Sequence, residues 1–290
     1  MHGNFLWRPL LVFVGVGVAG ACSLLNPLDG EGLSGGDRAD ASAPVDRRTP
    51  VGAGESGDAR SETGTTPPSS SSYRDVVLSD GPLAYYRLGD SSAVAKDEVG
   101  GPDGTHQGNP TRADGAIAGD EDGATRFGGG SFIDLGAGFP FAGRAPFTIE
   151  AWVKPDGGGG PNDSRCVVAK SPATINDGYA LFVNGDEPYF GRYPSNEYTQ
   201  GSGVVPPGVF SHLVTTYDGT TLALYVNGEL SGTETSTHSL GAVDKPQTIG
   251  ASRGGTTCYF AGVIDEVAIY GSPLSVERIR AHHRAGTGLP

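Results

Sequence analysis

The sequence predicts an all-β fold, two antiparallel sheets packed face to face with one short C-terminal helix. Three observations over residues 73–290 predict it. The run FTIEAWVKP (147–155) sets Phe147, Ile149, Ala151 and Val153 against Thr148, Glu150, Trp152 and Lys154, which is the period of two of a strand. The dipeptides Asp218-Gly219 and Asn227-Gly228 interrupt SHLVTTYDGTTLALYVNGE (211–229) where two-residue hairpin turns belong. Short β-rich runs recur between Gly-rich turns, with no amphipathic helical period through 73–270.

The elements follow in order. AYYRLGD (84–90) reads as an early strand, and GYALFVNGDEPYFGRY (178–193) repeats the strand–turn–strand pattern around its own Asn-Gly. YFAGVIDEVAIY (259–270) is a further β-rich strand. Beyond Pro273, Ser275 is suited to cap a helix on which Val276, Ile279 and His283 share a face, and Gly286 is expected to stop it. This helix is expected to pack on the rim of the sandwich.

The first 21 residues read as an export signal. Arg8 precedes an uncharged run from Leu10 to Val18, and small residues follow at Ala19, Gly20 and Ala21. The run is far shorter than the roughly 20 apolar residues of a spanning helix. Ala-Gly-Ala-Cys resembles the lipobox of bacterial lipoproteins, which makes Cys22 the candidate lipidated residue, although Ala19 stands where that motif prefers Leu, Val or Ile. Ordinary cleavage after Ala21 is the alternative. Ser23 in place of Asp resembles the outer-membrane sorting pattern. The expected location is therefore the outer membrane or cell surface, or the medium if the chain is simply secreted.

Residues 22–72 read as a disordered tether. No aromatic residue occurs between Val14 and Ser72, and the stretch is dominated by Gly, Ser, Thr, Ala and Pro. Such a composition buries too little apolar area to offset chain ordering. A flexible coil of about 50 residues spans roughly 35–40 Å. Residues 73–290 hold 21 of the 24 aromatics and are long enough for one sizeable core. The net charge of −13 argues against nucleic acid, whose phosphates demand clustered Lys and Arg.

AYYRLGD (84–90), FTIEAWVKP (147–155), HLVTTYDGTTLALYVNGE (212–229) and FAGVIDEVAIYGSPLSVERI (260–279) together resemble a LamG-like domain of the concanavalin A-like lectin/glucanase superfamily. The resemblance implies a jelly roll of two curved sheets. It implies no single function, since this fold hosts lectins, adhesion modules, structural appendages and glycosidases.

Glucanases on this fold carry acidic residues at alternate positions of one strand. Here Val263 and Val267 flank Asp265 at that spacing, and Glu266 is expected on the opposite face. Of two Gly-x-Ser-x-Gly matches, GLSGG (32–36) falls in the tether, where nothing could hold a triad, and GASRG (250–254) lacks the following helix of a nucleophile elbow. A non-catalytic module is expected. For Asp265 two readings stand: a ligand, with Asp90, to one structural Ca²⁺ of the kind many relatives carry, or an acceptor of backbone N–H bonds. Cys166 and Cys258, an even pair once Cys22 is set aside in an exported chain, are expected to form a disulfide.

The ligand surface is expected in EPYFGRYPSNEYTQGSG (187–203). There Tyr189, Arg192, Tyr193 and Tyr198 combine ring faces with polar donors as sugar-binding sites do. One of Tyr189 and Phe190 is expected in the core. Trp152 belongs either to the concave ligand face or to a second core layer. The expected partner is a glycan or an extracellular or cell-envelope protein, with membrane contact only through a lipid anchor.

Overall fold

The computed structural model describes residues 72–157, 163–171, 178–193, 197–241 and 245–289. The signal, Cys22 and nearly all of the tether lie outside the described residues. The strands run β1 Ala84–Tyr86, β2 Val94–Ala95, β3 Gly104–Gln107, β4 Thr111–Asp114, β5 Gly123–Gly128, β6 Phe132–Asp134, β7 Phe147–Pro155 and β8 Ser164–Lys170. They continue as β9 Gly178–Asn184, β10 Glu187–Tyr193, β11 Glu197–Gln200, β12 Ser211–Tyr217, β13 Thr221–Val226, β14 Glu229–Thr235, β15 Thr248–Ile249 and β16 Ala261–Tyr270. Helix α1 spans Tyr73–Ser79 and α2 spans Val276–Thr287.

Two antiparallel sheets form the sandwich. The first has the order β14-β13-β12-β7-β16-β5-β4, with β1 also on β16, and the second has the order β11-β10-β9-β8-β15-β6-β3-β2. The inward faces meet in one core that includes Phe147, Ile149, Leu181, Phe190, Leu213, Ile264 and Ile269. The alternation of 147–155 thus places Phe147, Ile149, Ala151 and Val153 inside, as expected. Asn227 and Gly228, at φ 51 and 82, make the tight β13–β14 turn that their residue types favour.

Helix α1 departs from the expectation of a helix-free stretch after residue 73. Ser72 caps it by accepting from the Asp75 N–H, and Tyr73 and Val77 are its buried residues. Seven residues are too few for a helix stable alone, so tertiary contacts hold it. Ser275 caps α2 as expected, accepting from the Arg278 N–H, but Gly286 does not end the helix. The left-handed Gly288 ends it, at φ 66, while Gly286 lies inside against Trp152.

Candidate ligand-binding surface

Both sheets have outward faces, and the predicted site residues divide between them. The outer face of the first sheet lies beneath α1 and α2. Trp152 projects there at 3% exposure. Its ring stacks on His212 at 4.8 Å and on His283 of α2 at 5.8 Å, and its Nε1–H donates to the Tyr73 hydroxyl at 3.0 Å. Trp152 therefore belongs to a second core layer with Tyr73, Tyr85 and Tyr270, which corrects its place among ligand-binding candidates.

Beside it, the fully buried Glu150 accepts from the Tyr73 hydroxyl at 2.7 Å and the Tyr270 hydroxyl at 3.0 Å. His212 Nε2 lies 2.8 Å and His282 Nδ1 2.9 Å from its oxygens. Burial opposes the charge, yet His282 and the hydrogen bonds from both histidines hold this carboxyl well below the ordinary range. No local pattern marks this cluster, because its members come from five separate segments, α1, β7, β12, β16 and α2.

Further along the same face, a bulge after Asp265 shifts the register of β16 against β7. Glu266 adopts φ 51 there. The extra residue brings Glu266 to the side of Tyr85, whose hydroxyl donates to it, so the expectation that it faces away from Asp265 fails. Arg87 bridges Glu266 at 3.2 Å and Asp120 at 2.7 Å. Burial, then the neighbouring Glu266 charge, pushes the Asp265 carboxyl well up; burial pushes Glu266 to about 8 against the pull of Tyr85 and Arg87.

Asp265 and Asp90, the two residues considered for Ca²⁺, each accept from backbone N–H groups. Asp265 Oδ2 accepts from the Ala116 N–H at 2.7 Å and Oδ1 from the Glu266 N–H at 3.0 Å. Asp90 Oδ2 accepts from the Lys96 N–H at 2.8 Å. Among the described residues, no three or more His, Cys, Asp or Glu side chains are grouped to hold an ion. Asp265 fits the backbone-acceptor reading.

The second sheet carries the remaining candidates. Phe190 enters the core and Tyr189 faces outward, as their alternation requires, with the Tyr189 ring stacked on Phe182 at 5.3 Å. Arg192 shares the parity of Phe190 and points inward. It lies 3.9 Å over the Tyr217 ring and donates to the Gly143 carbonyl at 3.0 Å, which removes it from the ligand set. Tyr193 closes β10 opposite Gly178, and Tyr198 pairs with Gly191 in β11. The side chains of both tyrosines lie outside the described residues. At the rim, the exposed Glu187 carboxylate accepts from the Tyr189 hydroxyl at 2.9 Å and the exposed Gln200 amide at 2.8 Å. The Tyr189 ring itself is buried at 5% exposure, which corrects its place as a stacking face, so the exposed Glu187 and Gln200 are the candidate surface.

Cys166 and Cys258 meet on this outer face, where the Cys166 N–H donates to the Cys258 carbonyl at 2.9 Å. The expected bridge is nevertheless not formed. Cys166 carries a free buried thiol hydrogen-bonded with Ser252, and burial pushes that thiol up to about 12. Ser252 itself precedes a tight turn rather than a helix, so GASRG makes no nucleophile elbow. A cleft of about 470 Å³ opens elsewhere, between Tyr73, Ile117, Asp120, Arg284 and Leu289, and contains none of the predicted site residues.

The profile of the Laminin_G_3 family, described as the concanavalin A-like lectin/glucanases superfamily, matches residues 127–280. The chain belongs to this superfamily. Comparison with curated proteins returns no match. Among solved structures, domain 4 of AbnA, a GH43 extracellular arabinanase from Geobacillus stearothermophilus in complex with arabinotriose, is 18% identical with a TM-score of 0.55. The match covers 70% of this chain and 98% of that one. Trypanosoma rangeli sialidase in complex with sialic acid is 17% identical with a TM-score of 0.54, covering 70% and 32%. The botulinum neurotoxin serotype G binding domain is 10% identical with a TM-score of 0.53, covering 70% and 50%. At these identities the likeness is one of fold, and the chain spans half or less of the last two proteins.

Proposed function

We propose that residues 73–290 form a non-catalytic carbohydrate-binding module, displayed outside a bacterial cell on the 22–72 tether. In this reading Cys22 carries the lipid. The observation that carries the proposal is the rim of the second sheet. There the exposed Glu187 and Gln200 hydrogen-bond to one another, and Glu187 also accepts from the hydroxyl of Tyr189, whose ring is buried against Phe182. An exposed carboxylate and amide held in register suit the hydroxyls of a sugar. Bound arabinotriose and sialic acid in two proteins of this fold support the ligand class by fold-level analogy.

Catalysis is the weaker reading. The nearest adjacent carboxyl pair, Asp265 and Glu266, is buried beneath the helix-covered face. Protein adhesion is the second reading, favoured by Val204 and Leu230, each 55% exposed. A glycan array probed with soluble residues 23–290 tests the proposal. Saturable binding to one glycan class supports it, and a blank array from folded protein moves the reading to adhesion.

A further inference from the structure

We infer that His282 is a doubly protonated imidazolium at neutral pH, and that it is the titratable pin joining both terminal helices to the first sheet. The inference stands on hydrogen-bond geometry. Nδ1 faces Glu150 Oε2 at 2.9 Å, and Nε2 faces Asp80 Oδ2 at 2.7 Å. An ionised carboxylate only accepts, so two such partners require a proton on each ring nitrogen. Glu150 is the acceptor because the Tyr73 and Tyr270 hydroxyls both donate to it, and its carboxyl is held well below the ordinary range. Asp80 is an acceptor on both oxygens from the Arg278 guanidinium at 2.8 Å.

The three groups belong to three elements. Asp80 caps the end of α1, His282 is the buried centre of α2, and Glu150 stands on β7. Besides the imidazolium, the buried Glu266 beside Tyr85, pushed up by burial to about 8, also changes charge between pH 7 and 10, so His282→Gln is needed to separate the two. From the sheet, burial pushes the Tyr270 hydroxyl well up, and from α1 it does the same to Tyr73. Arg278 remains cationic. On α2, burial pulls His283 down, so it is already neutral. His282 moves the other way: burial lowers it, but Glu150 and Asp80 overcome that and raise it.

When the imidazolium loses its proton, one nitrogen confronts a carboxylate lone pair to lone pair, either the fully buried Glu150 or the partly exposed Asp80. Helix α1 is otherwise held by the buried Tyr73 and Val77, by the Arg74–Glu98 pair and by Arg278 donating to the Val76 carbonyl, while Asp80 with His282 fastens its C-terminal end. Loss of the proton therefore releases α1, and with it the point at which the preceding chain joins the domain.

Hydrogen exchange of the full chain from pH 6 to 10, corrected for intrinsic rate, tests this. The protection of residues 73–80 should fall at least tenfold as pH rises, while 211–217 stays protected. A simultaneous loss in 211–217 overturns local release, and so does unchanged protection in 73–80. In His282→Gln the pH step should vanish, and a step that persists assigns it to another group. Should that variant fail to fold, Asp80→Asn should bring the midpoint to lower pH, and an unmoved midpoint overturns the inference. Side-chain ¹⁵N spectra at pH 7 add a direct reading: two protonated ring nitrogens support it, and one bare nitrogen refutes it.

Discussion

Replacing Gly286 by Ala tests the packing of α2 on the first sheet through the sign of its effect. A Cβ at this position would stand 2.3 Å from Trp152 Cζ2 and 3.1 Å from Cε2 and Cη2. Ordinary carbon contacts begin near 3.4 Å, so the indole or the helix must move by about 1 Å. Trp152 has little freedom to yield, held by His212 on one ring contact, His283 on another and Tyr73 at Nε1. Overpacking a tight site costs about 1–3 kcal/mol, and losing the indole hydrogen bond adds about 1 kcal/mol. The helix propensity gain of Ala over Gly returns about 1 kcal/mol. The net expectation is destabilisation by about 1–3 kcal/mol, a fall in Tm of roughly 2–12 °C for a domain of this size. Thermal unfolding followed by circular dichroism measures it. Were Gly286 only a helix terminator, the same substitution would be neutral or stabilising by about 1 kcal/mol, and that result would refute the packing described here.

Three further outcomes are expected. Glu150→Gln leaves donors unsatisfied and His282 without its counter-charge, so it should cost about 3–5 kcal/mol by denaturant titration; a loss below about 1 kcal/mol would contradict the buried network. Glu266, held at about 8 when folded against an ordinary value of 4.5, binds more protons in the native than in the unfolded state between those values. Its contribution to stability therefore falls as pH rises through that window. Glu266→Gln should accordingly gain in Tm relative to the parent from pH 5 to pH 9, and a constant difference would refute the raised carboxyl. Cys166, buried with its thiol at about 12, should resist maleimide at pH 8 in native protein and react once unfolded; rapid native labelling would place it at the surface.

The sandwich was legible because period-two alternation and Asn-Gly turns are local signals, and FTIEAWVKP with the 211–229 hairpins carries both. Parity alone would also have placed Arg192 inside, two residues from Phe190; its charge argued the other way, and Tyr217, Ser236 and Gly143 are among the groups that make its burial tolerable. Helix α1 left no periodic trace, because its stability comes from Glu150, His282 and Arg278, which lie 70 to 200 positions away in the chain. The bulge at Glu266 was equally hidden: it inverts the facing that simple alternation assigns, and no Gly marks the position. The rim of the second sheet was half legible. Tyr189 stood out by composition, whereas the partnership of Glu187 with Gln200 needs the β10–β11 register.

The carbohydrate reading meets its most direct test in isothermal titration of the glycan that binds best, comparing the parent chain with the Glu187→Ala, Gln200→Ala double variant. Both residues are exposed, so Tm should stay within about 2 °C, as exposed positions generally allow. The proposal predicts at least a tenfold loss of affinity, about 1.4 kcal/mol. Unchanged affinity with unchanged Tm would contradict it and remove the rim of the second sheet as the binding surface.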